Sequence, residues 1–308
     1  MYYFIINPNS SSGKSSRFWW LIKEELDKNK IPYSVHFSRE EGHASQLTSE
    51  ICSKSEEIKN IVVLGGDGTL NEVINGISDF SKIILGYIPS GSSNDLARSL
   101  NIPKKPLKAL EKILNPKKIQ YFDLGLMHFP DSNLPSRKFI CSSGIGYDAS
   151  VCHEVQRSSL KKKFNRFRFG KLIYLAITIK QLFTIKPVDG YVIVDGVKKT
   201  HYNKILLVSN MIHPYEGGGI KMAPNANPRD GKLSILLVHG LSRLKTILLL
   251  PTILFAKHTM FKEVESFDCS NIDIHLAEPT PVHTDGETPA TCSHIRVECL
   301  PKQIRMII

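Results

Sequence analysis

Residues 61–77, IVVLGGDGTLNEVINGI, limit what this chain can fold into more than any other stretch. They open as an apolar strand pattern, turn through Gly-Gly-Asp-Gly, and continue with Leu70, Val73, Ile74 and Ile77 at helical spacing. A strand, a tight loop and a helix are expected. Three glycines in four residues open dihedrals closed to other residues and remove side chains, so that a bulky anion can approach the amides. The helix adds unpaired N–H groups and the positive end of its dipole, with Thr69 as N-terminal cap or phosphate donor. Gly65, Gly66 and Gly68 therefore suit phosphate. Asp67 would repel it, so its carboxylate fits the loop by holding a cation, taking a proton or binding a ribose hydroxyl. A turn-shaping Asp is the plainer alternative.

The chain is long enough for one large domain or two ordinary ones, and two are expected. Hydrophobic content of 42% and charged content of 22% suit a globular protein. The start, MYYFIINPN, carries no signal-peptide pattern, and the apolar run 246–256 is interrupted by Pro251 and too short to span a bilayer. Six cysteines without a CxxC pair suit reduced thiols in a cytoplasmic setting. The formal charge of +11 points to an anionic partner: nucleic acid, anionic lipid or a polyphosphate nucleotide.

Two further loops follow apolar strands. After Phe4-Ile5-Ile6 comes Asn7-Pro8-Asn9-Ser10-Ser11-Ser12-Gly13-Lys14-Ser15, which is not a Walker A loop because Pro8 stands where that motif needs Gly. After Ile83-Ile84-Leu85-Gly86-Tyr87-Ile88-Pro89 comes Ser90-Gly91-Ser92-Ser93-Asn94-Asp95-Leu96-Ala97-Arg98. Strand, loop and helix repeats of this kind give an open parallel sheet with its ligand at the strand C-terminal ends. From residue 137 the pattern changes to short strands (138–142, 191–194, 204–209), which favours an antiparallel β-sandwich. There Gly144-Ile145-Gly146 reads as a tight turn before a helix, with Asp148 as its cap.

GGDGTLNEVINGI resembles the signature of the diacylglycerol kinase catalytic-domain family, which includes sphingosine kinases and, more distantly, NAD kinases. Other blocks extend the resemblance over nearly the whole chain: the NPxSGxGK-like loop, with Ser11 for its first Gly; Ser38 before Gly42-His43-Ala44; and GSSNDLAR, with Ser92 for Thr. So do Asp123-Leu124-Gly125, the GGG…AP…DGKL block ending at Leu233, and Asp285-Gly286-Glu287.

The resemblance implies a fold of α/β plus all-β type. Residues 1–126 would form a Rossmann-like, nucleotide-binding open parallel sheet domain, with a strand at about 301–308 returning to it, and residues 127–300 an antiparallel β-sandwich for a lipid substrate. ATP would meet Asn7, Pro8, Asn9, Ser10, Ser11, Ser38, Gly65, Gly66, Asp67, Gly68, Thr69, Leu70, Asn71 and Ser92, although a helix cap is an equal reading for Ser38. Asp67, Asp95 and Asp123 would gather at an interdomain cleft around Mg²⁺ and water. Asp230, with the backbone oxygens of Asn227 and Lys232, would hold a structural Mg²⁺. Phosphoryl transfer to a hydroxyl needs an acceptor for its proton, and Glu287, ahead of Asp285, would be that base.

The chain is accordingly expected to be an ATP- and Mg²⁺-dependent lipid kinase, with diacylglycerol the leading acceptor, cytoplasmic and peripheral at the membrane surface. Within residues 157–171, Arg157, Lys161, Lys162, Lys163, Arg166, Arg168 and Lys171 interleave with Phe164, Phe167 and Phe169. That stretch suits transient contact with anionic lipid, or simply a solvated face. No nucleic-acid module accompanies the charge. A homodimer stays open, as do an NAD or other small-molecule kinase and a non-catalytic nucleotide- or lipid-binding regulator.

Overall fold

A computed structural model of the chain describes residues 1–11, 13–54, 57–157 and 170–308. The basic segment with Lys161, Lys162, Lys163, Phe164, Arg166, Phe167, Arg168 and Phe169 lies outside the described residues. Two compact units are present: Met1–Leu124 with Pro301–Ile308, and Gly125–Leu300.

The first unit runs β1 (Tyr2–Ile6), α1 (Lys14–Lys28), β2 (Tyr33–Phe37), α2 (His43–Ser53), β3 (Lys59–Gly65), α3 (Asp67–Gly76), β4 (Ile83–Pro89), α4 (Asp95–Ser99) and α5 (Pro106–Leu114). It ends in β5 (Ile119–His128), which carries the chain into the second unit. β1 pairs in parallel with β2 and β3, and β3 with β4. Met306, in the returning segment, pairs in parallel with Leu85 of β4.

Parallel strands need crossovers, and the intervening helices supply them. Phe4, Ile5 and Ile6 of β1, and Ile61, Val62, Val63 and Leu64 of β3, are all buried. Both strand faces must therefore be covered, which excludes a solvated face. On one side Phe4, Ile6, Val62, Leu64 and Ile88 pack with Trp19, Ile22 and Leu26 of α1 and with Leu110 and Ile113 of α5. The loops after β1, β3 and β4 all leave from strand C-terminal ends.

The second unit contains β6 (Arg137–Phe139), β7 (Ser142–Gly146), α6 (Tyr147–Arg157), α7 (Gly170–Thr184), β8 (Val188–Val194), β9 (Lys198–Met211), β10 (Tyr215–Glu216) and β11 (Ile220–Lys221). β12 (Leu233–His239), α8 (Arg243–Leu254), β13 (Val264–Cys269) and β14 (Asn271–Thr284) follow, and β15 (Glu287–Ile307) leads back to the first unit. β9 and β14 are long enough to change partners: each pairs with β8 along one half and with β7 along the other. β7 and β8 thus lie end to end between β9 and β14, and the sheet they share curls over a common core. That core includes Phe139, Ile145, Val192, Val208, Ile235, Ile272, Val282 and Ile295.

Every strand pair described in this unit is antiparallel; among the described pairs antiparallel ones are the majority, and the parallel ones lie in the first unit. The expected strand at 138–142 is two strands, β6 and β7. Gly144 and Gly146 lie within β7 rather than in a turn. A Cβ on Gly144 would stand 2.2 Å from Asp148 Oδ2 and 2.8 Å from His283 Nε2, so glycine there makes room for buried polar groups.

Candidate functional site

In the first unit the loops after β1, β3 and β4 converge. A Cβ added to Gly66 would meet the Cα of Gly91 at 3.1 Å. Gly65, Gly66 and Gly68 are absent from the positive-φ residues, and Gly66 has φ −98°, so space rather than an unusual dihedral is what glycine provides here. Thr69 is not the cap of α3, because the helix begins at Asp67 behind Gly66. Its hydroxyl instead accepts a hydrogen bond from Asn7 Nδ2 at 3.2 Å, joining the first loop to the second.

Asn7 Oδ1 accepts the Asn9 amide at 3.0 Å, and Ser11 takes φ 47°, adopting the left-handed backbone that the family's glycine would occupy more easily. Ser11 Oγ lies 3.4 Å from Ser92 Oγ, and buried Ser15 and Ser90 share a 2.6 Å hydrogen bond, which ties the first loop to the third. Pro8 contributes its carbonyl to Ser16 Oγ at 3.1 Å, and Ser10 donates its amide to Asn7 O at 3.2 Å. The Leu70 and Asn71 side chains are buried within α3, so they support the loop from below. Ser38 is buried, donates to Ile6 O, and does not cap α2, which begins behind Gly42.

The Asp95 amide donates to Asp67 Oδ2 at 3.1 Å, bringing these two acids together, and Arg98 Nη1 lies 4.0 Å from Asp95 Oδ1. Carboxylates are hard oxygen donors of the kind Mg²⁺ takes. Asp123 is fully buried, and its Oδ1 accepts the Lys302 amide at 2.8 Å, which fastens the returning segment to β5.

In the second unit Asp285 and Glu287 sit in different surroundings. Asp285, at φ 48°, accepts the amides of Ile140 (2.9 Å), Cys141 (2.8 Å) and Ser142 (3.0 Å) through its two oxygens. Those bonds make it the anchor of the turn. Glu287 is half-buried, with Oε2 accepting from Gln156 Nε2 of α6 at 3.2 Å.

Behind the turn lies a polar centre that the sequence reading missed. His283 is fully buried, with Nε2 3.3 Å from Asp148 Oδ2 and 3.2 Å from Glu216 Oε1, while Ser209 donates to Asp148 Oδ2 at 2.5 Å. Burial opposes charge on the imidazole, but the Glu216 and Asp148 carboxylates outweigh it and hold its pKa well above the ordinary 6.5. Burial likewise opposes ionisation of Asp148, and the hydrogen bond and charge of His283 reverse that, lowering its pKa. β14 ends at Thr284 and Asp285 takes φ 48°, so strand alternation gives no local signal for this cluster.

Asn227, Asp230 and Lys232 are exposed on the turn before β12, where the Lys232 amide donates to Asp230 Oδ1 at 3.1 Å. The donor set is all oxygen and fits a hard cation, although this amide bond closes the turn by itself.

Residues 1–127 match the family model of the diacylglycerol kinase catalytic domain, and residues 141–308 that of the YegS C-terminal NAD kinase beta sandwich-like domain. The chain is 32% identical over 308 residues to the Bacillus subtilis (strain 168) protein named "Putative lipid kinase YtlR", covering 99% of this chain and 98% of that one. It is 28% identical to a Staphylococcus carnosus (strain TM300) diacylglycerol kinase, over 92% of this chain and 87% of the relative. Among solved structures, a diacylglycerol kinase from Bacillus anthracis str. Sterne superimposes with a TM-score of 0.70 at 20% identity, over 99% of this chain and 96% of that one; this likeness speaks for the fold alone.

Proposed function

The chain belongs to the diacylglycerol kinase-like lipid kinase family, and from that premise we propose that it transfers the γ-phosphoryl group of ATP to a lipid hydroxyl, with diacylglycerol as the leading acceptor. The observation that carries this reading is the convergence of three polar loops, with Gly66 and Gly91 nearly in contact and Asp67 bonded to the Asp95 amide. Parallel pairing beneath those loops supports a Rossmann-like nucleotide domain, in which phosphates sit on loop amides and the N-terminus of α3.

Asp67 and Asp95 would hold Mg²⁺, which when bound neutralises phosphate charge. Asp123, tied to Lys302, would keep its part of the first unit in register. Glu287 is the proposed general base: it takes the proton of the lipid hydroxyl as the new O–P bond forms and the bond to the leaving ADP oxygen breaks. Asp285 acts through Glu287, holding the turn by three amides. Asp230, with Asn227 and Lys232 carbonyls, is proposed as a structural Mg²⁺ site. The second unit is read as the lipid-substrate domain of a peripheral, cytoplasmic enzyme. Among the described residues no helix is long and apolar enough to cross a membrane.

The deciding experiment offers radiolabelled ATP and a panel of lipids in mixed micelles, with NAD and a sphingoid base included. Label in phosphatidic acid is the expected result. Label in NAD alone, or in no acceptor, rejects the proposal.

A further inference from the structure

α8 begins behind a Ser242 cap, whose Oγ accepts the Lys245 amide, and ends at Phe255. Its residues, RLKTILLLPTIL, contain no acid and are apolar on nearly every side. One face is used by the fold: Leu249, with Ile253 beside it, packs into a core that includes Ile177, Leu236 and Val264. The opposite face carries Leu244, Ile247, Leu248, Leu254 and Phe255, spaced i, i+3, i+4, i+10 and i+11, which at 3.6 residues per turn makes one continuous stripe. That stripe is in solvent. Leu244 is 69% exposed, Leu254 73% and Phe255 74%, and Met260 just beyond is 78% exposed.

A helix apolar all round belongs in a core or at an apolar boundary, and half of this one has no protein cover among the described residues. Lys245, Lys257 and Lys262 stand at the ends of the stripe, and the acid among them, Glu263, is buried and paired with Lys245. A second copy fits this surface poorly, since packing stripe on stripe would bring two sets of lysines together. An ordinary protein interface also needs polar atoms for hydrogen bonds, and the stripe has no polar side chain to offer. Apolar knobs with exposed Lys257 and Lys262 following them in the chain match the boundary between acyl chains and anionic headgroups.

We propose that the exposed stripe of α8, extended by Met260, is a docking surface that lies in the headgroup layer of an anionic lipid bilayer. It rests on the lipid-kinase reading only for why such a surface is useful: an enzyme whose substrate stays in the membrane gains by sitting on it. Membrane contact is thereby assigned to α8 on its own geometry, independently of the basic segment at 158–169.

The test is flotation of the full chain with vesicles of phosphatidylcholine containing phosphatidylglycerol, without nucleotide. Two double variants are compared, Leu248→Glu/Phe255→Glu and the milder Leu244→Ser/Leu254→Ser. All four side chains face solvent, so thermal melting should match wild type. Wild type should float, each variant should bind vesicles at least about tenfold more weakly, and turnover on a short-chain, water-soluble lipid should be unchanged. Wild type that stays unbound, or variants that float as well as wild type, would overturn the proposal. So would a wild-type dimer that both variants split while vesicle binding is untouched, because the stripe would then be a self-association face. In a second arm the same vesicles carry diacylglycerol and receive ATP and Mg²⁺: wild type that binds them but forms no phosphatidic acid would leave the surface standing and reject the kinase reading, so the two failures are separable.

Discussion

A Cβ placed on Gly91 would stand 2.5 Å from the Cα of Gly66, so the loops after β4 and β3 meet backbone to backbone. The same atom would come within 2.8 Å of Asn94 Oδ1, whose side chain also donates from Nδ2 to Gly91 O at 2.7 Å. Gly91→Ala should therefore push the two loops apart. Overpacking of this kind costs about 1–3 kcal/mol of stability. ATP affinity should fall at least about tenfold, which is roughly 1.4 kcal/mol. Urea unfolding and calorimetric titration read the two effects separately. A folded Gly91→Ala or Gly66→Val protein with unchanged ATP affinity would contradict the placement of phosphate at this contact.

Glu287 and Asp285 should separate cleanly. Glu287→Gln keeps shape and the contact with Gln156 but removes the base, so kcat should fall by roughly 10²–10⁴-fold with melting and ATP binding unchanged. Asp285→Ala leaves the amides of Ile140, Cys141 and Ser142 without that acceptor and should cost about 3 kcal/mol of unfolding free energy. If Asp285→Ala melts like wild type, or Glu287→Gln keeps full turnover, the division of labour between them is wrong.

The loops of the first unit were legible because each is announced locally: an apolar run, then Gly, Asn or Ser, then helical spacing. Gly66 needs no special dihedral, and the partner that crowds it, Gly91, is 25 residues away and invisible to local pattern. Thr69 illustrates the same limit, since its hydroxyl bonds to Asn7 across two strands rather than capping its own helix. In the second unit, period-two patterning announced β-structure but not the halves of β9 and β14 that change partners, because strand switching depends on which faces meet. His283 was hidden for a related reason. Its partners Asp148 and Glu216 come from α6 and β10, and a lone histidine in a strand reads as core or surface until they are in place.

The Asp230 turn gives a metal-dependent prediction. If Mg²⁺ sits there, chelation should lower the melting temperature of wild type, and Asp230→Ala should remove the difference between Mg²⁺-containing and chelator-treated protein. Because Asp230 is exposed and its Oδ1 bonds to the Lys232 amide, the variant should still fold. A Mg²⁺ effect on melting that survives in Asp230→Ala would move the site elsewhere.

Buried between Asp148 and Glu216, His283 should make stability depend on pH with a definite sign. Its folded pKa lies well above the ordinary 6.5, because the Glu216 and Asp148 carboxylates outweigh burial. Above 6.5 the folded chain therefore holds a proton that the unfolded chain has released. The contribution is fully present below about 6.5 and is lost as pH rises through the folded pKa. Asp148, whose pKa is lowered by His283, gives up its own contribution only as pH falls below its ordinary 3.8. The Gly286 amide is directed at His283 Nδ1, 3.3 Å away, a bond the ring accepts only while Nδ1 carries no proton, so the titration reaches the turn that carries Glu287. His283→Gln should consequently cost more stability near about pH 6 than near about pH 9. It should also lower kcat while sparing the KM for ATP. Urea unfolding of both proteins across that range measures the first effect; a cost that does not change with pH would mean that His283 is neutral in the folded chain, with a single Nε2–H shared between the two acids.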